Sequence, residues 1–290
     1  MACFRRFELS RVIIPQNSLC MLIWVWIHTG QPCVAAFEPF MQGARANSMG
    51  MTSASVRAGP FGPDHNPAVL AVLPCISAGV THTRLFGLKD LTQTALMISL
   101  PFKQFGIGFG TQVFGNALYR ETSVQAGLGI RIRPNYYLGL LCNAGQLYIQ
   151  HYGSAASLWL NTGLLYQFSE KLTLVFTVRN LNRACLGQSN GPVPQTLRIG
   201  ISCHPDQKVM MKLELIKDNR FPQEIRSGIE VSPISSFKFR CGFTDRPQRI
   251  TFGIGIRTSL LNLDYGAVGH PILDFTHHLT CSFMIHRNRS

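Results

Sequence analysis

From about residue 76 almost to the C-terminal end, apolar and polar residues alternate in segments of roughly 9–13 residues, a period that puts successive side chains on opposite faces of a β-strand. Phe237, Phe239, Cys241 and Phe243 share one face against Lys238, Arg240 and Gly242. Ile250, Phe252, Ile254 and Ile256 oppose Thr251, Gly253, Gly255 and Arg257 in the same way. A helical membrane protein is excluded over this stretch, because no run of about 18–20 apolar residues follows residue 40. Charged residues are only 14% of the 290-residue chain, which also holds 19 Phe. A disordered chain would be charge-rich and poor in aromatics.

Alternation alone fits a two-sheet soluble sandwich as well as a membrane barrel, and the turns discriminate between them. Short connections near Pro101–Lys103, Pro134-Asn135, Ser169–Lys171, Pro205–Gln207, Pro233–Ser235 and Thr258-Ser259 interleave with mostly longer ones at Gly87–Asp90, Gly115–Arg120, Gly153-Ser154, Cys185–Val193, Asn219–Gln223, Asp245–Gln248 and Ala267–Thr276. Tight turns at one end and loops at the other are the arrangement of outer-membrane barrels. The spacing predicts strands near 76–85, 91–100, 104–114, 121–133, 136–152, 155–168, 172–184, 194–204, 208–218, 224–232, 236–244, 249–257, 260–266 and 277–286. This even number of strands returns both chain ends to one side, and their lengths suit the roughly 9–11 residues that cross a bilayer at a tilt. The expected fold is all-β: a closed antiparallel transmembrane β-barrel of about 14 strands over residues 76–286, followed by a tail at 287–290. Glycines at alternate inward positions, as in Phe105–Gly110, give curvature and room for a packed interior. Tyr136, Tyr137, Tyr148, Trp159 and Tyr166, near strand ends, are candidates for interfacial aromatic girdles.

Residues 1–36 read as a secretory signal peptide. They combine a basic start (Arg5, Arg6, Arg11), an apolar stretch from Leu19 to Ile27 that is too short to span a bilayer, and small residues at Val34-Ala35-Ala36, with cleavage expected near Ala35 or Ala36. Leu19 and Pro32 precede Cys20 and Cys33 where lipidation needs a small residue, so no lipid anchor is expected. The formal charge of +13 falls only to +11 once three Arg and one Glu leave with the signal, so the basic excess belongs to the mature chain. Its six cysteines, Cys75, Cys142, Cys185, Cys203, Cys241 and Cys281, form no C-x-x-C pair and no disulfide framework, and they read as small apolar packing residues.

Residues 37–75 do not alternate. They carry Gly43-Ala44-Arg45-Ala46-Asn47-Ser48-Met49-Gly50 and, further on, Asp64-His65-Asn66-Pro67-Ala68. Together with Tyr119-Arg120-Glu121, the Arg-Asn-Leu-Asn run at 179–182, Pro194–Gly200, Leu263–Gly266 and His277-His278, these motifs resemble the PorV/PorQ family and the related FadL-type long-chain fatty-acid transporters, across nearly all of the mature chain. The resemblance implies an outer-membrane barrel with residues 37–75 folded inside it or across its periplasmic mouth as a plug. It makes Asp64, Asn66, Pro67 and Ala68 the plug motif, with Asn66 and Pro67 shaping a tight turn. The chain is short for either family, which leaves little material for extended loops.

No catalytic, cofactor or metal site is expected. Gly187–Gly191 matches Gly-x-Ser-x-Gly, but that elbow needs a strand before it and a helix after it, and this copy lies in a loop ending Pro192-Val193-Pro194. His270, His277, His278 and Asp274 have the spacing of no standard metal site. Arg131, Arg133, Arg179, Arg198, Lys212, Arg226, Lys238, Arg240 and Arg257 fall on the polar strand faces, where they would make a basic lumen with little apolar lining that favours an anionic group. Alternatively, they pair with plug carbonyls and acidic neighbours and bind nothing. A signal peptide without a basic helix or stacking motif argues against nucleic acid as a partner. The expected partner is outer-membrane lipid around a monomeric barrel. Three functions stay open on the sequence: a PorV-like role with a type IX secretion translocon and its exported proteins, a FadL-like conduit for a hydrophobic anionic ligand, and a soluble periplasmic β protein.

Overall fold

In the computed structural model, described over residues 36–53, 59–187 and 191–285, fourteen antiparallel strands close into one barrel. In chain order they begin β1 (Ile76–Arg84), β2 (Thr92–Pro101), β3 (Phe105–Gly115), β4 (Tyr119–Arg133), β5 (Tyr136–Ile149), β6 (Gly153–Gln167) and β7 (Leu172–Arg179). A two-residue hairpin, β8 (Cys185–Leu186) with β9 (Gly191–Pro192), lies in the connection that follows. The barrel resumes with β10 (Thr196–Asp206), β11 (Val209–Asp218), β12 (Glu224–Ile234), β13 (Phe237–Asp245), β14 (Gln248–Arg257), β15 (Leu261–Val268) and β16 (Thr276–Ile285). It closes where β1 pairs with β16, with Ile76 opposite Ile285 and Arg84 opposite His277. No sandwich forms. The expected signal peptide up to Ala35, Ser189 of the Gly-x-Ser-x-Gly match and the tail at 287–290 lie outside the described residues.

The strands end within three residues of their expected limits, with one exception: β7 stops at Arg179 instead of near residue 184. There the backbone turns left-handed at Asn180 (φ 54°), and the loop folds back along the free edge of β6. Leu181 N donates to Leu160 O at 2.7 Å, Asn182 Oδ1 accepts from Leu160 N at 2.9 Å, and Asn182 Nδ2 donates to Leu158 O at 3.0 Å. A side-chain amide here replaces a stretch of ladder, so the edge is satisfied without a strand. The expected contrast between turns and loops is also weaker than the sequence implied. The connections at 116–118, 150–152 and 246–247 are as tight as those at the opposite end, and Gly153-Ser154 opens β6.

Side chains follow the alternation. Leu96, Ile98, Phe109, Leu128, Leu140, Leu213, Leu215, Phe239, Phe252, Ile254 and Leu279 all point outward and are exposed. The outward run on β13 and β14 from Phe237 to Phe243 and from Ile250 to Ile256 carries no charge. An apolar belt encircling the molecule far exceeds the few hundred Å² patch that a soluble monomer shows to water. Tyr136 and Tyr166 stack at 4.3 Å at the tight-turn end, and Tyr148 is exposed near the loop end. Tyr137 and Trp159, also expected in the girdles, are instead buried on the inward face, which places them in the interior packing. The six described cysteines are free.

Candidate functional site

The interior is occupied by residues 36–53 and 59–75. Three inward side chains on well-separated strands hold the first part: Thr280 Oγ1 accepts from Ala44 N at 2.8 Å, Thr251 Oγ1 from Gly50 N at 2.8 Å, and Glu214 Oε2 from Ser53 N at 2.8 Å. The short helix Ala44–Asn47 lies against β15 and β16. Phe37 and Glu38 sit near the loop end beside Glu121, Arg179 and Arg220. The 3₁₀ turn Pro67–Ala71 packs on β3 to β6 at the tight-turn end. The segment thus runs from one end of the barrel to the other.

Two rows of glycine explain how the wall admits it. Gly106, Gly129, Gly139 and Gly163 are mutual register partners across β3, β4, β5 and β6, which makes a trough one backbone wide. A Cβ on Gly139 would stand 2.1 Å from the carbonyl carbon of Pro67, and one on Gly106 would stand 2.1 Å from the oxygen of Leu70. On the other side Gly228 pairs with Gly242, and added Cβ atoms there would meet Met49 O at 2.3 Å and Gly50 N at 2.0 Å. The inward glycines therefore make room for main chain, beyond the curvature expected of them.

The motif Asp64, Asn66, Pro67, Ala68 sits at the head of this trough. Asn66 is fully buried, and its Oδ1 caps the 3₁₀ turn by accepting from Ala68 N at 2.9 Å. Its Nδ2 donates to Leu164 O at 3.2 Å and to Phe176 O at 3.3 Å, tying β6 to β7. Pro67 opens the turn, and Ala68 packs with Val69, Leu70, Leu73, Tyr137, Leu165 and Val175. Asp64 lines a small void of about 30 Å³ with Arg179 and Arg198. Burial raises its carboxyl above the ordinary value, against the pull of those two guanidinium groups.

The basic residues divide into three groups. Arg131 and Arg133 are exposed beside the tight turn after β4, with Arg131 over the Tyr137 ring at 6.0 Å, so they lie at the rim and not in the lumen. Arg179, Arg198, Lys212 and Arg226 face inward toward the segment: Arg179 donates to Phe37 O at 3.1 Å, and Arg226 donates to Met51 O at 3.0 Å while pairing with Glu224 at 2.8 Å. Lys238, Arg240 and Arg257 face a cavity. Its organising group is Glu230, which accepts from Arg45 Nε and Nη2, both at 2.8 Å, and from Arg240 Nε at 2.7 Å, with Lys238 at 3.5 Å. Arg240 also reaches Asp264 at 2.7 Å. Burial works to lower the Arg45 guanidinium, but Glu230 outweighs it and holds the group above its ordinary value.

The cavity measures about 440 Å³ and lies between the segment and strands β11 to β16 and β1, near the tight-turn end. Pro60, Phe61, Val72 and Leu73 of the segment, with Met210 and Met284, give it an apolar wall. Arg45, Lys208, Lys238, Arg240 and Arg257 are five cations against the carboxylates Glu230 and Asp264. The strand-based reading of little apolar lining missed that the segment supplies the apolar side. Arg45 and Lys208 were missed too, since one lies in a run read as a backbone motif and the other in a tight turn. The volume falls in the range of roughly 300–1,000 Å³ typical of small-ligand pockets.

No protein-family model matches the chain, and no curated protein matches it by sequence. Solved structures do. The CymD monoaromatic hydrocarbon channel superposes with a TM-score of 0.69 at 11% identity, over 88% of this chain and all of that one. The barrel shares the fold of the hydrocarbon channels. The Pseudomonas putida toluene transporter TodX (TM-score 0.60, 10% identity, 87% of this chain and 100% of that one) and a Pseudomonas aeruginosa FadL homologue (0.60, 9%, 85% and 99%) show the same fold.

His65, in the second part of the segment and bonded to Gln42 of the first, gives the interior a pH response. Its Nε2 lies 2.8 Å from Gln42 O, and burial, with Arg198 and Lys212 nearby, lowers its pKa to about 3. An unfolded histidine takes a proton below about pH 6.5, whereas the folded one refuses it until about pH 3. Stability is therefore lost as pH falls through that window, by up to about 1.4 kcal/mol per unit. Asp64, with its raised value, acts in the opposite sense and is common to wild type and His65→Asn. The expected result is a shallower acid-side fall in unfolding temperature for His65→Asn, measured between pH 7 and pH 4.

Proposed function

We propose that this chain is an outer-membrane barrel that passes small hydrophobic molecules bearing an anionic group, with residues 37–75 as its plug. The observation that carries this reading is the mixed lining of the cavity: apolar side chains mostly from the plug and cations mostly from the strands, matching the tail and head of an amphiphilic anion. The apolar outer belt supports lipid as the surrounding solvent, and the fold shared with hydrocarbon channels supports passage of hydrophobic molecules. We propose no enzyme activity for this chain.

Native mass spectrometry of the protein extracted from membranes tests the reading. A bound hydrophobic acid, displaced by Arg257→Ala, is the expected result; a chain that purifies without one and binds none when offered contradicts it. A second reading, partnership with a type IX secretion machine, rests on the resemblance of residues 43–68 to PorV/PorQ proteins. Co-purification of exported proteins or a large translocon subunit is its signature.

Membrane insertion has its own test. Cys241, halfway along β13, points outward. Cys241→Arg is expected to cost about 2–4 kcal/mol in the bilayer and to lower the temperature at which the folded, gel-shifted barrel is lost. A soluble protein would tolerate the same exposed arginine.

A further inference from the structure

Where the N-terminal segment begins, near the loop end of the barrel, its backbone is buried in a setting built for charge. Ala36 and Phe37 are each 3% exposed. Phe37 N donates to Glu121 Oε2 at 3.0 Å, its carbonyl accepts from Arg179 Nη2 at 3.1 Å, and its ring lies 5.0 Å from that of Trp159. Glu121 is itself 4% exposed and takes a second hydrogen bond from the Tyr119 hydroxyl. Neighbouring Glu38 is matched by Arg220 at 2.6 Å, whereas among the described residues no side-chain cation forms a salt bridge with Glu121. The Arg179 guanidinium, engaged on the Phe37 carbonyl, acts on Glu121 only through space, and the hydrogen bonds Glu121 accepts come from neutral donors. A buried carboxylate so placed is costly, and a cation at the position of Phe37 N would lower that cost.

The direction of the chain supplies the cation. Phe37 sits at the loop end, opposite the end from which Cys75 leads into β1. A chain still tethered to the inner membrane by its signal could not bring Phe37 to that end, so the signal must be removed before the segment seats. Ala36 is the last of the small residues Val34-Ala35-Ala36 that mark the cleavage region. We infer that the mature chain begins at Phe37, and that the α-ammonium freed by cleavage of the Ala36–Phe37 bond forms a buried ion pair with Glu121, anchoring the segment at the loop end. In that step a signal peptidase uses one water: the amide bond breaks, hydroxyl goes to the Ala36 carbonyl to give a carboxylic acid, and hydrogen goes to the Phe37 nitrogen, which is protonated at neutral pH.

N-terminal sequencing and intact mass of the protein purified from membranes are expected to give Phe37 as the first residue. The pH dependence of α-amine acylation then reads the pairing. Burial alone would lower the amine below its ordinary value of about 8, whereas an ion pair raises it by about one unit or more. The folded wild type is expected to titrate above 8, and Glu121→Gln to label about tenfold faster at neutral pH. A different first residue, an amine titrating below 8 in the folded wild type, or equal labelling in both proteins overturns the inference. The wild-type titration stands by itself if Glu121→Gln does not assemble.

Discussion

Replacing Gly139 with alanine is expected to expel the turn at Asn66–Ala71 from the barrel wall. The new methyl would lie 2.1 Å from the carbonyl carbon of Pro67 and 2.2 Å from Ala68 N, atoms of main chain that no rotamer change can move. Overpacking of this kind costs about 1–3 kcal/mol by itself. Displacement also strands the Asn66 amide from Leu164 O and Phe176 O, at about 1 kcal/mol or more for each lost bond. The outer belt is untouched, so the barrel should still insert and shift on a gel. Limited proteolysis reads the difference, with residues 59–75 cut in Gly139→Ala and protected in the wild type. Equal protection in both would mean that the trough does not hold the segment.

Glu230→Ala should have an effect of similar size by a different route. The carboxylate neutralises Arg45 from the segment and Arg240 from the wall, at 2.8 and 2.7 Å, with Lys238 nearby. Removing it leaves these cations around Asp264 alone, and breaking a buried pair in this way costs about 3–5 kcal/mol. The segment should loosen at its middle, with a lowered unfolding temperature and new proteolytic cuts near residues 43–53. Adding Arg45→Ala to Glu230→Ala should recover part of the loss, because it withdraws one of the stranded charges. A double variant that merely sums the two single losses would show that the pair is not coupled.

Both effects act on contacts that the sequence shows only in part. The strands were legible because each outward position faces an apolar surround and each inward one does not, so β13 and β14 write their faces directly as Phe and Ile against Lys, Arg and Gly. The end of β7 was not legible, since nothing in the residue run shows that a left-handed Asn180 and the Asn182 amide take over the edge. Gly106, Gly129, Gly139 and Gly163 could be read as inward glycines, but their alignment is a matter of register, set by turns whose lengths are uncertain from sequence. The basic face was legible residue by residue, though Arg131 and Arg133 fall at the rim. The cavity was not, because its two walls come from parts of the chain far apart in sequence, Pro60 to Leu73 on one side and Lys208 to Arg257 on the other.

The most direct test of a cavity with an apolar and a basic wall is to offer it one tail with two heads. In lipid nanodiscs carrying the full chain, decanoate should bind about tenfold more tightly than decanol, since a charge pairing of about 1.4 kcal/mol separates them. Arg257→Ala should narrow that ratio while leaving decanol binding unchanged. Equal affinity for the acid and the alcohol, or no binding of either, would contradict the account.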